Sequence, residues 1–250
     1  SYTVTTSDVD SGDTVTLAGT TVPSWLSFNA STGALTGTPL NAHVGDHSVV
    51  ITASDQNSGS TTQSFTIAVA NVNDAPTFTS TAVTSATEDS AYSYTVTTSD
   101  VDSGDTVTLA GTTVPSWLSF NASTGALTGT PLNAHVGDHS VVITASDQNS
   151  GSTTQSFTIT VANVNDAPTI TSTAVTSATE DSAYSYTVTT SDVDSGDTVT
   201  LAGTTVPSWL SFNASTGALT GTPLNAHVGN HEVVITATDE SSSSVTQSFT

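Results

Sequence analysis

Short runs of alternating apolar and polar residues fill this chain, and turn-forming residues separate them. Tyr92, Tyr94, Val96 and Thr98 alternate with Ser93, Thr95 and Thr97, the two-residue period of a strand with one buried face. Val141-Val142-Ile143-Thr144-Ala145 and Phe157-Thr158-Ile159-Thr160-Val161 have the same character. Between the runs stand Asp102-Ser103-Gly104-Asp105, Asn121-Ala122-Ser123-Thr124-Gly125 and Asp147-Gln148-Asn149-Ser150-Gly151, compositions that favour turns. Thr, Val and Ser dominate and helix formers are scarce, so the prediction is all-β. No apolar run approaches the ~18–20 residues of a membrane span.

The pattern itself recurs. Ser1-Tyr2-Thr3-Val4-Thr5-Thr6-Ser7-Asp8-Val9-Asp10 returns at 93–102 and at 185–194, a period of 92 residues. Residues 1–92 and 93–184 differ only at Ala68/Thr160 and Phe78/Ile170, and the third copy drifts after Gly229. Such self-similarity means a tandem array, and this period suits one independently folding sandwich. Asn71-Val72-Asn73-Asp74-Ala75-Pro76 and Asn163-Val164-Asn165-Asp166-Ala167-Pro168 read as linkers. The expected modules are therefore 1–72, without its opening strand, a complete 75–164, and 167–250, without the end of its closing strand. The fold class expected is tandem immunoglobulin/cadherin-like Greek-key β-sandwich modules in a linear array, about seven strands each. The chain reads as a fragment of a longer array. Trp117, Leu118 and Phe120 read as core, because large aromatics dominate core burial.

Charge changes the picture next. The chain has 22 acids, no Lys or Arg and a formal net charge of −22. Every carboxylate must then be solvated, hydrogen-bonded or held by a metal ion. Nucleic acid and anionic membrane surfaces are excluded as partners by repulsion. Disorder, which such acidity can signal, is countered by 35% hydrophobic residues recurring regularly. With no Cys there is no disulfide framework.

The residues 23–39, Pro-Ser-Trp-Leu-Ser-Phe-Asn-Ala-Ser-Thr-Gly-Ala-Leu-Thr-Gly-Thr-Pro, resemble the signature of dystroglycan-type cadherin-like modules, also named Putative Ig repeats. Val-Asn-Asp-Ala-Pro at 72–76 and 164–168 is similar to the cadherin linker. Asp8-Val9-Asp10 resembles the cadherin Asp-x-Asp element, and Thr52-Ala53-Ser54-Asp55 the later cadherin Asp. Near-identical copies of such modules are typical of large secreted bacterial adhesins and also occur beside polysaccharide-degrading catalytic domains.

The resemblance implies Ca²⁺ at the junctions. Carried over residue by residue, one junction would use Asn73, Asp74, Asp100, Asp102 and Asp147, and its Glu partner would lie upstream of Ser1. The other would use Glu88, Asn165, Asp166, Asp192, Asp194 and Asp239. Asp8, Asp10 and Asp55 would be half a site, and Glu180 half of another. Where cadherins carry Leu-Asp-Arg-Glu, this chain has Leu40-Asn41-Ala42-His43. The loss of two carboxylates there implies one or two ions per junction rather than three.

The residue chemistry stands beside that resemblance. Ca²⁺ takes about 6–8 oxygen ligands. Asp100 and Asp102, two apart on a turn, can converge on one ion, and clustered carboxylates without a cation repel one another. The alternative is a solvating acidic surface.

Other constellations carry less. Asp8-Val9-Asp10-Ser11-Gly12-Asp13 has its Gly at position five, not six, and so is no EF-hand loop. His43 and His47, repeated at His135/His139 and His227/His231, precede a strand and read as surface or hydrogen-bonded rather than as a zinc pair. No Gly-x-Ser-x-Gly elbow or phosphate-cradling loop is present, and the chain reads as no enzyme. Asn29, Asn121 and Asn213 begin Asn-Ala-Ser triplets that arise by chance in turns.

Three functions follow. The first is a calcium-stiffened, extracellular or cell-surface stalk of an adhesin, whose partners are calcium and neighbouring repeats. The second is a module that binds cell-surface glycans or its own kind, with avidity from repetition. The third is an accessory region of a secreted hydrolase.

Overall fold

A computed structural model describes every residue, Ser1–Thr250. The protein is all-β, with three one-turn 3₁₀ segments and no α-helix. The chain divides into two compact units. One joins Ser1–Thr81 to Val96–Ala110 and Ile143–Gln155; the other joins Ala82–Thr95 to Gly111–Val142 and Ser156–Thr250. Each unit contains one linker and the residues gathered around it.

In the second unit the third repeat forms two three-stranded sheets, beside a two-stranded one of Thr169–Ile170 with Thr190–Ser191. Ala218–Gly221 lies between Tyr184–Thr187 and Leu210–Asn213, and Val233–Thr238 lies between Thr200–Thr205 and Ser244–Phe249, all antiparallel. Alternation decides the facing. Tyr184 and Tyr186 are buried while Ser185 and Thr187 are exposed; Val233, Ile235 and Ala237 are buried with half-buried residues between them. The inward sets of both sheets meet in one core of Tyr184, Tyr186, Val188, Leu219, Val233 and Ile235, which makes the repeat a sandwich.

The first unit repeats this arrangement. Ala34–Gly37 lies between Tyr2–Thr3 and Leu26–Asn29, and Gly45–Ser54 between Thr16–Thr21 and Ser60–Val69. Val4, Leu35, Val49 and Ile51 form its core. In the middle repeat Ala126–Gly129 pairs with both Tyr92–Thr95 and Leu118–Asn121. Residues 160–162 add Ser85–Thr87 as a parallel neighbour.

Trp117 and Leu118 are each 8% exposed, and Tyr92 meets Trp117 edge-on at 5.7 Å. Burial, reinforced by Tyr94, pushes the Tyr92 phenol up to about 12, and its hydroxyl donates to the Val83 carbonyl at 2.7 Å. Phe120 and the equivalent Trp25 and Trp209 are half-buried.

The 3₁₀ turns Asn41–His43, Asn133–His135 and Asn225–His227 matter most for position. In the first, His43 Nδ1 accepts from the Leu40 N–H at 2.9 Å. His47 Nε2 donates to the His43 carbonyl at 2.7 Å. The rings of the pair lie 6.5 Å apart and edge-on. Each His is therefore spent on backbone geometry, and the turn it fixes holds Asn41 at the linker.

Candidate metal centre

The Asp-x-Asp element sits on a tight turn. Asp102 N–H donates to Asp100 Oδ1 at 2.9 Å, and Asp194 N–H to Asp192 Oδ1 at 3.0 Å. Gly104 and Gly196, at φ +100° and +102°, close these turns in a backbone region that favours glycine. The turn folds Asp105 back towards Asp100, and Asp197 back towards Asp192.

Asp102 then becomes the meeting point of three segments. Its Oδ2 accepts the linker N–H of Asp74 at 2.7 Å, and its Oδ1 accepts the Asn41 amide of the preceding repeat at 2.8 Å. The same Asn41 amide reaches Asp74 Oδ2 at 2.9 Å. At the next junction Asp194 accepts from Asp166 N–H at 2.7 Å and from the Asn133 amide at 2.7 Å. Asp102 and Asp194 are 4% and 5% exposed. Asp10, the same residue of the first repeat, is exposed, whereas Asp102 and Asp194 each carry a linker N–H on one carboxylate oxygen.

The later Asp closes the ring. Asn73 donates to Asp147 Oδ2 at 2.9 Å, and Asn165 donates to Asp239 Oδ2 at 2.9 Å. Gly151 and Ser243 cap the other oxygens through their N–H groups, each at 2.8 Å. Glu88, 1% exposed, accepts from the linker N–H of Val164 at 3.1 Å.

Carboxylates crowd as a result. Oxygens of Asp100, Asp105 and Asp147 lie within 4.8 Å of one another, as do those of Glu88, Asp166 and Asp194, and those of Asp192, Asp197 and Asp239. The linker N–H of Asp74, followed by the Asn41 amide, holds the Asp102 carboxyl below its ordinary range. The Asn73 amide does so for Asp147, and the Asp166 N–H for Asp194. Asp197 goes the other way. Burial raises it first, and the charges of Asp192, Asp194, Glu240 and Asp239 raise it further.

All eleven residues expected at the two junctions are gathered there: Asn73, Asp74, Asp100, Asp102 and Asp147 at one, and Glu88, Asn165, Asp166, Asp192, Asp194 and Asp239 at the other. Asp8, Asp10 and Asp13 form a separate, open cluster. The donors are carboxylate and carboxamide oxygens, a hard set that fits Ca²⁺ and lacks the thiol or imidazole that zinc prefers. Oδ2 of Asp100 and of Asp192 are buried without a hydrogen-bond partner, which leaves each a free ligand atom. The site residues thus fit the ion.

Four further residues join the site: Asn41, Asn133, Asp105 and Asp197. The sequence marks Asn41 only as the place of a lost carboxylate and Asp105 only as part of a turn, and their copies Asn133 and Asp197 carry no separate signal; the recurring Leu-Asn-Ala-His element and the Gly-Asp after Asp-x-Asp are what could have found them.

The sequence profile of the family described as Putative Ig domain matches residues 1–70, 75–162 and 167–250. The chain belongs to this family. As a run of Putative Ig domains it is similar to the serine-rich adhesin for platelets of Staphylococcus aureus, 33% identical over 144 residues, 58% of this chain. The chain spans only 6% of that adhesin, and 10% of its counterpart in strain MRSA252. Among solved structures the Putative Ig repeats share their fold with cadherin domains. The protocadherin GammaB4 extracellular domain is 21% identical, with a TM-score of 0.55 over 94% of this chain and 43% of that one. Mouse cadherin-23 EC22-24 is 20% identical, with a TM-score of 0.54 over 97% and 87%. No helix is long and apolar enough to cross a membrane.

Proposed function

We propose that this chain is a non-catalytic spacer segment of a cell-surface or secreted adhesin, and that Ca²⁺ at its linkers stiffens it. The modules of the spacer are 1–72, 75–164 and 167–250. One observation carries the reading. Asp102 and Asp194 each draw together the preceding repeat, the linker and the following repeat, inside a crowd of acids on a chain with no Lys or Arg. Similarity to a staphylococcal adhesin adds the surface context.

The ion would be held by Asn73, Asp74, Asp100, Asp102, Asp105 and Asp147 at one junction. At the other it would be held by Glu88, Asn165, Asp166, Asp192, Asp194, Asp197 and Asp239. A divalent cation supplies the positive charge these acids lack. Asn41 and Asn133 orient the Asp carboxylates and turn an oxygen to the ion if their amides rotate. Of the aromatic residues that a glycan platform in the middle repeat would need, Tyr92, Tyr94 and Trp117 are each at most 8% exposed and Phe120 is half-buried, which disfavours direct glycan binding by that repeat.

Thermal unfolding in EDTA, in millimolar Mg²⁺ and in millimolar Ca²⁺ tests the proposal. A ligand of the native state at a hundred times its Kd stabilises by about 2.7 kcal/mol. A higher melting temperature in Ca²⁺ than in Mg²⁺ or EDTA is expected. Identical curves in all three would reduce the linker acids to a solvated surface.

A further inference from the structure

Residues 93–158 and 185–250 differ at seven positions. Five of the seven fall in or beside the turn that carries the later Asp: Ser146/Thr238, Gln148/Glu240, Asn149/Ser241, Gly151/Ser243 and Thr153/Val245. The other two are Asp138/Asn230 and Ser140/Glu232. Three of the five change what the acids of the joint meet. In the second repeat the Asn149 amide caps Asp105, donating to Oδ1 at 3.2 Å and to Oδ2 at 2.9 Å. In the first repeat the Asn57 amide reaches Asp13 Oδ2 at 2.7 Å. Ser241 stands at that place in the third repeat, so no carboxamide caps Asp197. Glu240 meanwhile brings a carboxylate where Gln148 has an amide. Thr198, next to Asp197, donates to Glu240 Oε1 at 2.5 Å, and the Glu240 charge reaches Asp197. An ion at this joint therefore meets one more negative charge and has fewer hydrogen bonds to displace.

The exchange of Gly151 for Ser243 changes rigidity instead. A Cβ at Gly151 would collide with Asp147 Oδ2. Ser243 carries that Cβ, and its Oγ accepts from the Asn165 amide at 3.0 Å. The same amide nitrogen reaches Asp239 Oδ2 at 2.9 Å and the Asp166 carbonyl at 3.1 Å, whereas that of Asn73 donates to Asp147 Oδ2 alone. With three acceptors around its nitrogen, the Asn165 amide is held against turning over, and its carbonyl oxygen keeps one orientation.

We infer, on the calcium reading of the joints proposed above, that the turn 239–243 sets the cation affinity of the joint at 163–168 and sets it higher than the turn 147–151 would. Ligand charge and site rigidity together tune Ca²⁺ sites over several decades of affinity. Glu240 supplies charge, Ser241 leaves Asp197 uncapped, and Ser243 holds the Asn165 amide ready. Joints that are otherwise copies of one another are graded by this one turn, so they stiffen at different Ca²⁺ concentrations.

The test exchanges the turns within the whole chain and follows hydrogen exchange at the linker amides of Asp74 and Asp166 against free Ca²⁺. Glu240→Gln with Ser241→Asn and Ser243→Gly gives the third repeat the turn of the second. The Ca²⁺ midpoint at Asp166 should then rise about 10–100-fold, the range that follows loss of outer-shell partners, while the midpoint at Asp74 stays in place. Gln148→Glu with Asn149→Ser should lower the midpoint at Asp74 and leave that at Asp166 alone. Protection of Val233–Thr238 in EDTA equal to that of the parent shows that the variants fold. A midpoint at Asp166 that ignores the exchange, or that moves together with the one at Asp74, overturns the inference and leaves calcium at the joints standing. Absence of Ca²⁺-dependent protection at both amides overturns the calcium reading and this inference with it.

Discussion

Asp102 and Asp194 occupy the same position in successive repeats and meet the same partners: a linker N–H, a carboxamide and their own Asp-x-Asp turn. Their lowered carboxyls bind protons less tightly when folded than when unfolded. The stability they contribute is thus present above the unfolded value of ~3.9 and is lost as pH falls through the lowered folded one. Asp194→Asn should lower the melting temperature at pH 7 in EDTA, and the difference should close below pH ~4. Calcium affinity should fall as well, by no less than the ~10–100-fold that follows loss of an outer-shell partner. Asp197 carries the opposite sign. Its raised carboxyl makes a contribution that is present below the unfolded value and lost as pH rises through the folded one. Asp197→Asn should therefore raise the melting temperature in EDTA at pH 7 and leave it unchanged near pH 3. In millimolar Ca²⁺ the same variant should gain less from the ion than the parent does. Asp100, Asp102, Asp192 and Asp194 were legible because their spacing copies a known element. Asp197 was not, because its approach to Asp192 depends on how tightly the turn at Gly196 closes, which spacing alone does not give.

Strands carried the clearest signal in the sequence, since Tyr184 and Tyr186 can be buried together only on a two-residue period. Leu219 is 0% exposed at the centre of its sheet, and Leu219→Ala should cost ~2–5 kcal/mol in denaturant unfolding. Gly217, at φ +70°, ends the turn that begins at Asn213, and an added Cβ would lie 2.3 Å from the Val188 carbonyl oxygen. Gly217→Ala should cost more than ~1 kcal/mol in the same experiment. The phenols of Tyr92 and Tyr184 are raised, chiefly by burial. The Tyr92 contribution holds below the unfolded value of ~10 and disappears as pH climbs towards 12, and that of Tyr184 is lost in the same direction, so alkaline unfolding should begin above pH ~10. The 3₁₀ turns were illegible because three residues carry no periodicity. Leu40-Asn41-Ala42-His43 reads as loop until His43 and His47 are seen bonding to the backbone.

Repetition shaped the whole molecule and was the easiest feature to read. A 92-residue period with two differences between the first copies announces an array, and the Putative Ig family match covers all three copies. What repetition could not reveal is how compact structure distributes over the chain. Each compact unit contains a linker, and in each a linker N–H donates to a buried Asp, Asp74 to Asp102 in one and Asp166 to Asp194 in the other. The proposed spacer should behave as a flexible string when the acids repel and as a stiff one when a cation holds them. Small-angle scattering of the whole chain in EDTA and in millimolar Ca²⁺ tests this most directly. A longer maximum dimension and a narrower distribution of shapes are expected in Ca²⁺, with Asp102→Asn plus Asp194→Asn abolishing the change. Superimposable curves in the two conditions would contradict it.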